Sequence, residues 1–184
     1  MLSNIGNFLL FLNVLLSILI IYNSYTCLKI SNNLISKSIY QLSIFQSTTI
    51  LICFFTLIAA FLTSDFSLIN VYQNSHSLKP VFYKISGTWG NHEGSLLLWV
   101  IILILFSFLF LVYNKTHPKN YRLSTLIIQN LLILGFLFFI LFNSNPFSIV
   151  NPVPKEGLGL NPILQDPALA IHPPLLYVGF VGSS

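Results

Sequence analysis

Long apolar runs alternate with short polar gaps along this chain. Four runs, about 5–27, 42–63, 94–113 and 123–142, contain no Lys, Arg, Asp or Glu. A bilayer's hydrocarbon core takes about 20 helical residues to cross, so each run is long enough. In lipid every backbone N–H and C=O must be satisfied within the segment, which makes each run a helix. A further apolar run opens near 174 and breaks off at 184. The pattern therefore predicts an all-α membrane protein, with four transmembrane helices plus the start of a fifth, in a single membrane domain over 1–184. The loops 63–93 and 143–173 are long and contain Pro, Gly and aromatic residues, with room for short interfacial helices.

Composition agrees with the pattern. Apolar residues make up 55% of the chain and charged residues 7%, against about 25% charged in a soluble domain. No Lys or Arg precedes the first run and no small-residue cleavage site follows it, so it reads as a retained span and not as a signal peptide. Cys27 and Cys53, at the end of one span and inside another, read as small apolar residues and not as a disulfide or metal pair. Polar residues within the spans, Gln46, Thr48, Thr49, Gln129 and Asn130, are expected to hydrogen-bond between helices.

Charge divides the gaps into two kinds. Lys29 and Lys37, then Lys115, Lys119 and Arg122, occupy gaps without an acid. Asp65, Glu93, Glu156 and Asp166 all fall in the other two gaps, with Lys79, Lys84 and Lys155. The positive-inside rule puts the acid-free side in the cytoplasm or matrix and the N-terminus outside, on the periplasmic or intermembrane side. The net charge of +4 is then an orientation signal. A nucleic-acid site would need a clustered basic face on a soluble domain, so no nucleic-acid partner is expected.

The outside loops hold the unusual residues. Phe82, Ile85 and Trp89 follow Pro80 at helical spacing and predict a short helix lying on the membrane surface, with Phe82, Tyr83 and Trp89 in the headgroup layer. Trp89-Gly90-Asn91-His92-Glu93-Gly94 then leads into the third span. Two readings compete for His92 and Glu93: Asn91 caps the helix and Glu93 favours its positive end, or the two form a ligand or proton-handling pair. His76 and His117 read as solvated loop residues. In the second loop Asp166-Pro167 is a helix start, with only a short turn expected before Pro173. His172 precedes Pro173, a position pushed away from helical geometry, so it is expected in a stiff, non-helical joint at the entrance of the fifth span. An imidazole there could ligate a metal or haem iron, or simply cap a helix. The sequence has no phosphate loop, CxxC, CxxCH or HExxH motif and no charged residue inside a span. That argues against a proton- or quinone-handling subunit.

WGNHEGSLLLW (89–99) and LNPILQDPALAIHPPLLYVGFVG (160–182) closely resemble the CcmF family of cytochrome c-type biogenesis proteins, which are haem lyase subunits. FNSNPF (142–147) and the early IGNFLL resemble it too, in order along the chain. The resemblance implies a role in cytochrome c maturation, with haem as the bound cofactor. Haem arrives on the chaperone CcmE, a CcmH-type subunit delivers apocytochrome c, and two thiols of the apoprotein add to the haem vinyl groups. The histidine of the family's HPPLLY motif matches His172, which implies that His172 is a haem axial ligand. Trp89, His92 and Glu93 match the other motif and are implied to contribute to the same surface. Family members are several times longer. The chain is therefore expected to be a fragment or one piece of a split protein, with the remaining C-terminal part of CcmF as a partner, and to be inactive alone. The location implied is the bacterial inner membrane, or the mitochondrial inner membrane. The alternative is a structural or assembly subunit with no ligand of its own.

Overall fold

The computed structural model describes residues 1–30 and 34–183. Four long helices carry the fold: α1 (Leu2–Lys29), α2 (Lys37–Leu62), α5 (His92–Tyr113) and α6 (Lys119–Asn143). All four are long and apolar enough to cross a membrane. Two short helices, α3 (Ile69–Asn74) and α4 (Val81–Gly87), lie between α2 and α5. A 3-10 turn over Pro162–Gln165 precedes α7 (Pro167–Gly182). Each long helix begins before its charge-free run, because the flanking polar residues continue the helical turn. Ser184, where the fifth span was expected to break off, lies outside the described residues.

The bundle closes in a ring. α1 packs against α2 and α6, and α5 packs against α2 and α6, so every neighbour is antiparallel. α7 lies along α5 and touches α4. This arrangement brings the N-terminus and both long loops to one end, the loop end. The two short connections fall at the other end.

Polarity is distributed oppositely to a soluble bundle. Phe8, Phe11, Leu15, Phe45, Phe55 and Phe139 are exposed on the outside. Asn13, Ser17, Gln46, Thr49 and Asn130 are buried inside. Gln46 Nε2 donates to Ser17 Oγ at 2.8 Å and to Asn130 Oδ1 at 3.3 Å, joining α1, α2 and α6. Thr49 Oγ1 donates to Asn13 Oδ1 at 3.3 Å. Lipid gives apolar faces no reason to hide, whereas an unpaired polar side chain there is costly. The expectation of interhelical bonds thus holds for Gln46, Thr49 and Asn130. Thr48 instead bonds its own helix, at Phe45 O, 2.8 Å, and the buried Gln129 Oε1 has no partner among the described residues. Cys27 and Cys53 are buried free thiols.

The basic residues of the short connections make specific contacts at the helix ends. Arg122, expected only as an orientation charge flanking a span, is buried in the first turn of α6. Its guanidinium donates to Leu111 O, one of the last-turn carbonyls of α5, and to Tyr40 Oη at 3.0 Å. Last-turn carbonyls have no partner within their own helix, and a basic side chain satisfies them well. Lys119 Nζ does the same for Ile30 O at the end of α1, at 3.0 Å. His117 packs its ring on Tyr121, with centroids 5.1 Å apart.

At the loop end the second loop is pinned to the first two turns of α1. A Cβ on Gly6 would overlap the ring of Phe147, which is fully buried. Ser3 Oγ donates to Phe147 O at 2.7 Å, and Asn145 Nδ2 donates to Asn7 Oδ1 at 2.7 Å. Two stretches far apart in sequence, IGNFLL and FNSNPF, therefore form one joint.

Candidate functional site

The two long loops form one layer over the loop end. Ile69 N donates to Ser148 O and Val150 N to Ser67 O, each at 2.9 Å, around an antiparallel bridge between Leu68 and Ile149. Leu158 N donates to Tyr72 O at 2.8 Å and Gly159 N to Ser75 O at 3.0 Å. Glu156 closes the same seam. Its carboxylate accepts from Ser77 N at 2.9 Å, Ser77 Oγ at 2.5 Å and Gly157 N at 3.0 Å. The Ser77 hydroxyl and amide, then the Gly157 amide, hold this carboxyl down at about 2, with a small contribution from His76. His76, read as a free loop residue, accepts from Leu78 N at 3.2 Å and lies 3.9 Å from Glu156. Lys79 behaves oppositely: burial pulls its ammonium down to about 8, and its Nζ has no hydrogen-bond partner among the described residues.

The turn from α4 into α5 is built on Asn91. Its Oδ1 accepts from Gly94 N at 2.7 Å, capping α5, and from Asn70 Nδ2 at 3.0 Å. Its Nδ2 donates to Gly87 O at 2.7 Å, which closes α4. Gly94 is required because a Cβ there would overlap the Thr88 carbonyl. The capping reading thus holds for Asn91. Glu93 lies in the first turn, where the helix dipole favours it. It also lines a polar recess of about 160 Å³ with Asn70, Asn143, Ser144, Asn145 and Ser148. His92 is the first residue of α5 and is exposed.

Trp89 is displaced from its expected place. α4 ends at Gly87, so Trp89 lies beyond it and not on its apolar face. Its indole Nε1 turns inward and donates to Ala170 O at 2.8 Å. Trp89, Gly90, Leu164, Leu169, Ala170 and Pro173 surround one small gap.

His172 does not sit in a non-helical joint. α7 runs unbroken from Pro167 to Gly182 with Pro173 and Pro174 inside it. Asp166 caps it as expected, its Oδ1 accepting from Ala168 N at 2.8 Å and Leu169 N at 3.1 Å. A proline removes a donor and disfavours helix at the preceding residue. Fastening on both sides overrides that preference here. Beyond the prolines, Trp99 of α5 packs on Tyr177 and Phe180, with ring centroids 5.6 and 6.2 Å away. Before them, Trp89 supplies the Ala170 carbonyl. Ala170 O would ordinarily accept from the amide four residues on, or three in a tightened turn, and both are prolines. The residue is buried, and an unpaired buried carbonyl costs about 1–3 kcal/mol. Sequence reasoning missed Ala170. The signal was present in the paired prolines, and only the assumption that they break the helix hid it.

The imidazole of His172 is exposed and bonds no group among the described residues. On the same helix Leu169, Leu175 and Leu176 are exposed. The result is a lone nitrogen base on an apolar surface at the loop end. No group of three His, Cys, Asp or Glu side chains among the described residues is placed to hold a metal ion.

Four apolar helices in an antiparallel ring, with a motif-bearing loop layer at one end, define a multi-pass membrane protein. Residues 89–184, with Trp89, His92, Glu93 and His172, match the family described as cytochrome C assembly protein, and the chain belongs to that family. It is 53% identical over 131 residues to the cytochrome c-type biogenesis protein CycK of Rhizobium meliloti (strain 1021), covering 71% of this chain and 19% of that protein. It is 47% identical over 132 residues to the cytochrome c-type biogenesis protein CcmF of Escherichia coli (strain K12), covering 71% of this chain and 20% of that one. The chain thus spans about a fifth of the length of these relatives. In fold it is similar to a solved structure of the cytochrome c haem lyase CcmF, with a TM-score of 0.79 and 22% identity over 98% of this chain and 28% of that one.

Proposed function

We propose that this chain is the N-terminal part of a CcmF-type haem lyase and works in cytochrome c maturation. Haem is the substrate it helps to hold, delivered by a CcmE-type chaperone. His172 is one axial ligand, and Trp89, His92 and Glu93 belong to the same surface. The bound haem offers vinyl groups to the thiols of apocytochrome c, which a CcmH-type subunit brings. The loop end faces the periplasm or intermembrane space, and the membrane is the bacterial or mitochondrial inner membrane. The acid-free charge at the opposite end supports that orientation.

The observation that carries this reading is the setting of His172. Haem is amphipathic: its macrocycle needs apolar contact and its iron needs an imidazole nitrogen. His172 offers an unpartnered imidazole on an exposed apolar helix face, within the region that matches the family. The chemistry of this donor fits the group. The remaining ligand and the delivery surfaces are expected from the rest of the protein.

The test is haem retention. His172→Ala in the complete protein should purify with at least tenfold less haem while its thermal unfolding in detergent stays unchanged. Undiminished haem in that variant overturns the assignment.

A further inference from the structure

We propose that Trp89 is the positioning residue for His172, acting as a side-chain substitute for the backbone donors that Pro173 and Pro174 lack. The inference rests on the reading of His172 as a haem ligand, and it gives the tryptophan of the WGNHEG segment a specific task.

The Ala170 carbonyl lies two residues before His172 on the same helix. Within α7 it has neither an i+3 nor an i+4 amide, because both positions are proline. The Trp89 indole N–H reaches it at 2.8 Å from the far side of the loop layer. Ala170 is 3% exposed, so water does not readily take that role. The indole is held in turn. Trp89 N donates to Ser86 O at 3.3 Å, and Asn91 fastens the next residues to both α4 and α5. Gly90 and Leu164 pack around the contact.

The consequence is mechanical. A helix that lacks consecutive ladder bonds bends easily at the gap. His172 sits inside that gap, so its direction depends on how the gap is held. Tying Ala170 to the α4–α5 turn fixes the imidazole relative to the loop layer. Only one bond of this kind is available to the tryptophan, because an indole has a single donor and no acceptor.

The experiment is a double-mutant cycle in the complete protein, using W89F, P174A and the pair. Phenylalanine keeps an aromatic side chain, though a smaller one, and removes the donor; the loss of volume is common to both backgrounds and cancels in the cycle. Alanine at 174 restores an amide four residues after Ala170. Two readouts are taken on each variant: haem affinity with its low-spin absorption spectrum, and the ultraviolet resonance Raman band that reports indole N–H bonding in haem-free protein. W89F should weaken haem binding about fivefold, the equivalent of one lost hydrogen bond, with a mixed-spin spectrum. In the P174A background the same W89F change should cost less than twofold. The Raman band of Trp89 should shift toward weaker bonding in P174A alone.

Equal losses from W89F in both backgrounds would overturn the proposal, as would no loss in either. The haem-free Raman readout separates the two claims. If His172→Ala keeps its haem while P174A shifts the indole band, the ligand assignment fails and the Trp89–Ala170 coupling stands. An indole band indifferent to residue 174 removes the coupling whatever happens to haem.

Discussion

Gly94→Ala adds one methyl group at the most crowded backbone crossing near the site. The Cβ would overlap the Thr88 carbonyl oxygen and lie 2.8 Å from its carbon. Carbon atoms in comfortable contact are about 3.5 Å apart, so even the carbon must retreat by about 0.7 Å and the oxygen by more. Neither partner is a side chain that can rotate away. Gly94 N is bonded to Asn91 Oδ1 at 2.7 Å, and Asn91 Nδ2 to Gly87 O at 2.7 Å. Separating the two strands of backbone therefore pulls on the cap of α5. Overpacking costs about 1–3 kcal/mol and a weakened cap about 1 kcal/mol. The expected destabilisation is about 2–4 kcal/mol. The assay is unfolding by SDS titration in mixed micelles, followed by helical circular dichroism. Gly135→Ala is the control, since a Cβ there meets nothing within 4 Å. It should be neutral or stabilising by up to about 1 kcal/mol, as expected when a helix interior exchanges Gly for Ala. A Gly94→Ala protein within about 0.5 kcal/mol of the parent would refute the backbone-contact reasoning.

Two further outcomes follow from the same structure. Arg122→Ala should lower stability by about 2–3 kcal/mol, because it strips a charged donor from the Leu111 carbonyl and Tyr40 hydroxyl; Arg122→Lys should recover less than half of that loss in the same titration, since one ammonium cannot reproduce the guanidinium fork. Glu156 links the loops to pH. Its carboxyl is held at about 2 in the folded chain against 4.5 ordinarily, so its contribution is fully present above pH 4.5 and is lost as pH falls from there toward 2. Amide-exchange protection at Ser77 and Gly157 should decline over that window, and the declining part should vanish in Glu156→Gln. A decline of equal size in that variant would place its cause elsewhere.

The four spans and the fold class were legible because lipid imposes a local rule. Each crossing must satisfy its own backbone, so each announces itself as an uninterrupted apolar run. Local chemistry also revealed the caps: Asn91 before His92, and Asp166 before Pro167. The family motifs marked the segments where unusual residues gather. The sequence by itself therefore determined the number of long helices, their order, and the polar loops that join them.

Tertiary structure decided the rest, since it depends on contacts between residues remote in the chain. Arg122 read only as an orientation charge flanking a span until the end of α5 was brought beside it. Trp89 looked like part of an amphipathic helix until the far loop presented a carbonyl without a donor. The paired prolines were expected to break a helix at His172. A proline's local cost is a few kcal/mol, and it is opposed by Asp166 at the helix's own N-cap, by Trp89 from the α4–α5 turn and by Trp99 from α5. His172 thus stands on a continuous helix and not in a joint, and the Ala170 carbonyl, which both prolines leave without an amide, receives its donor from Trp89, some eighty residues earlier.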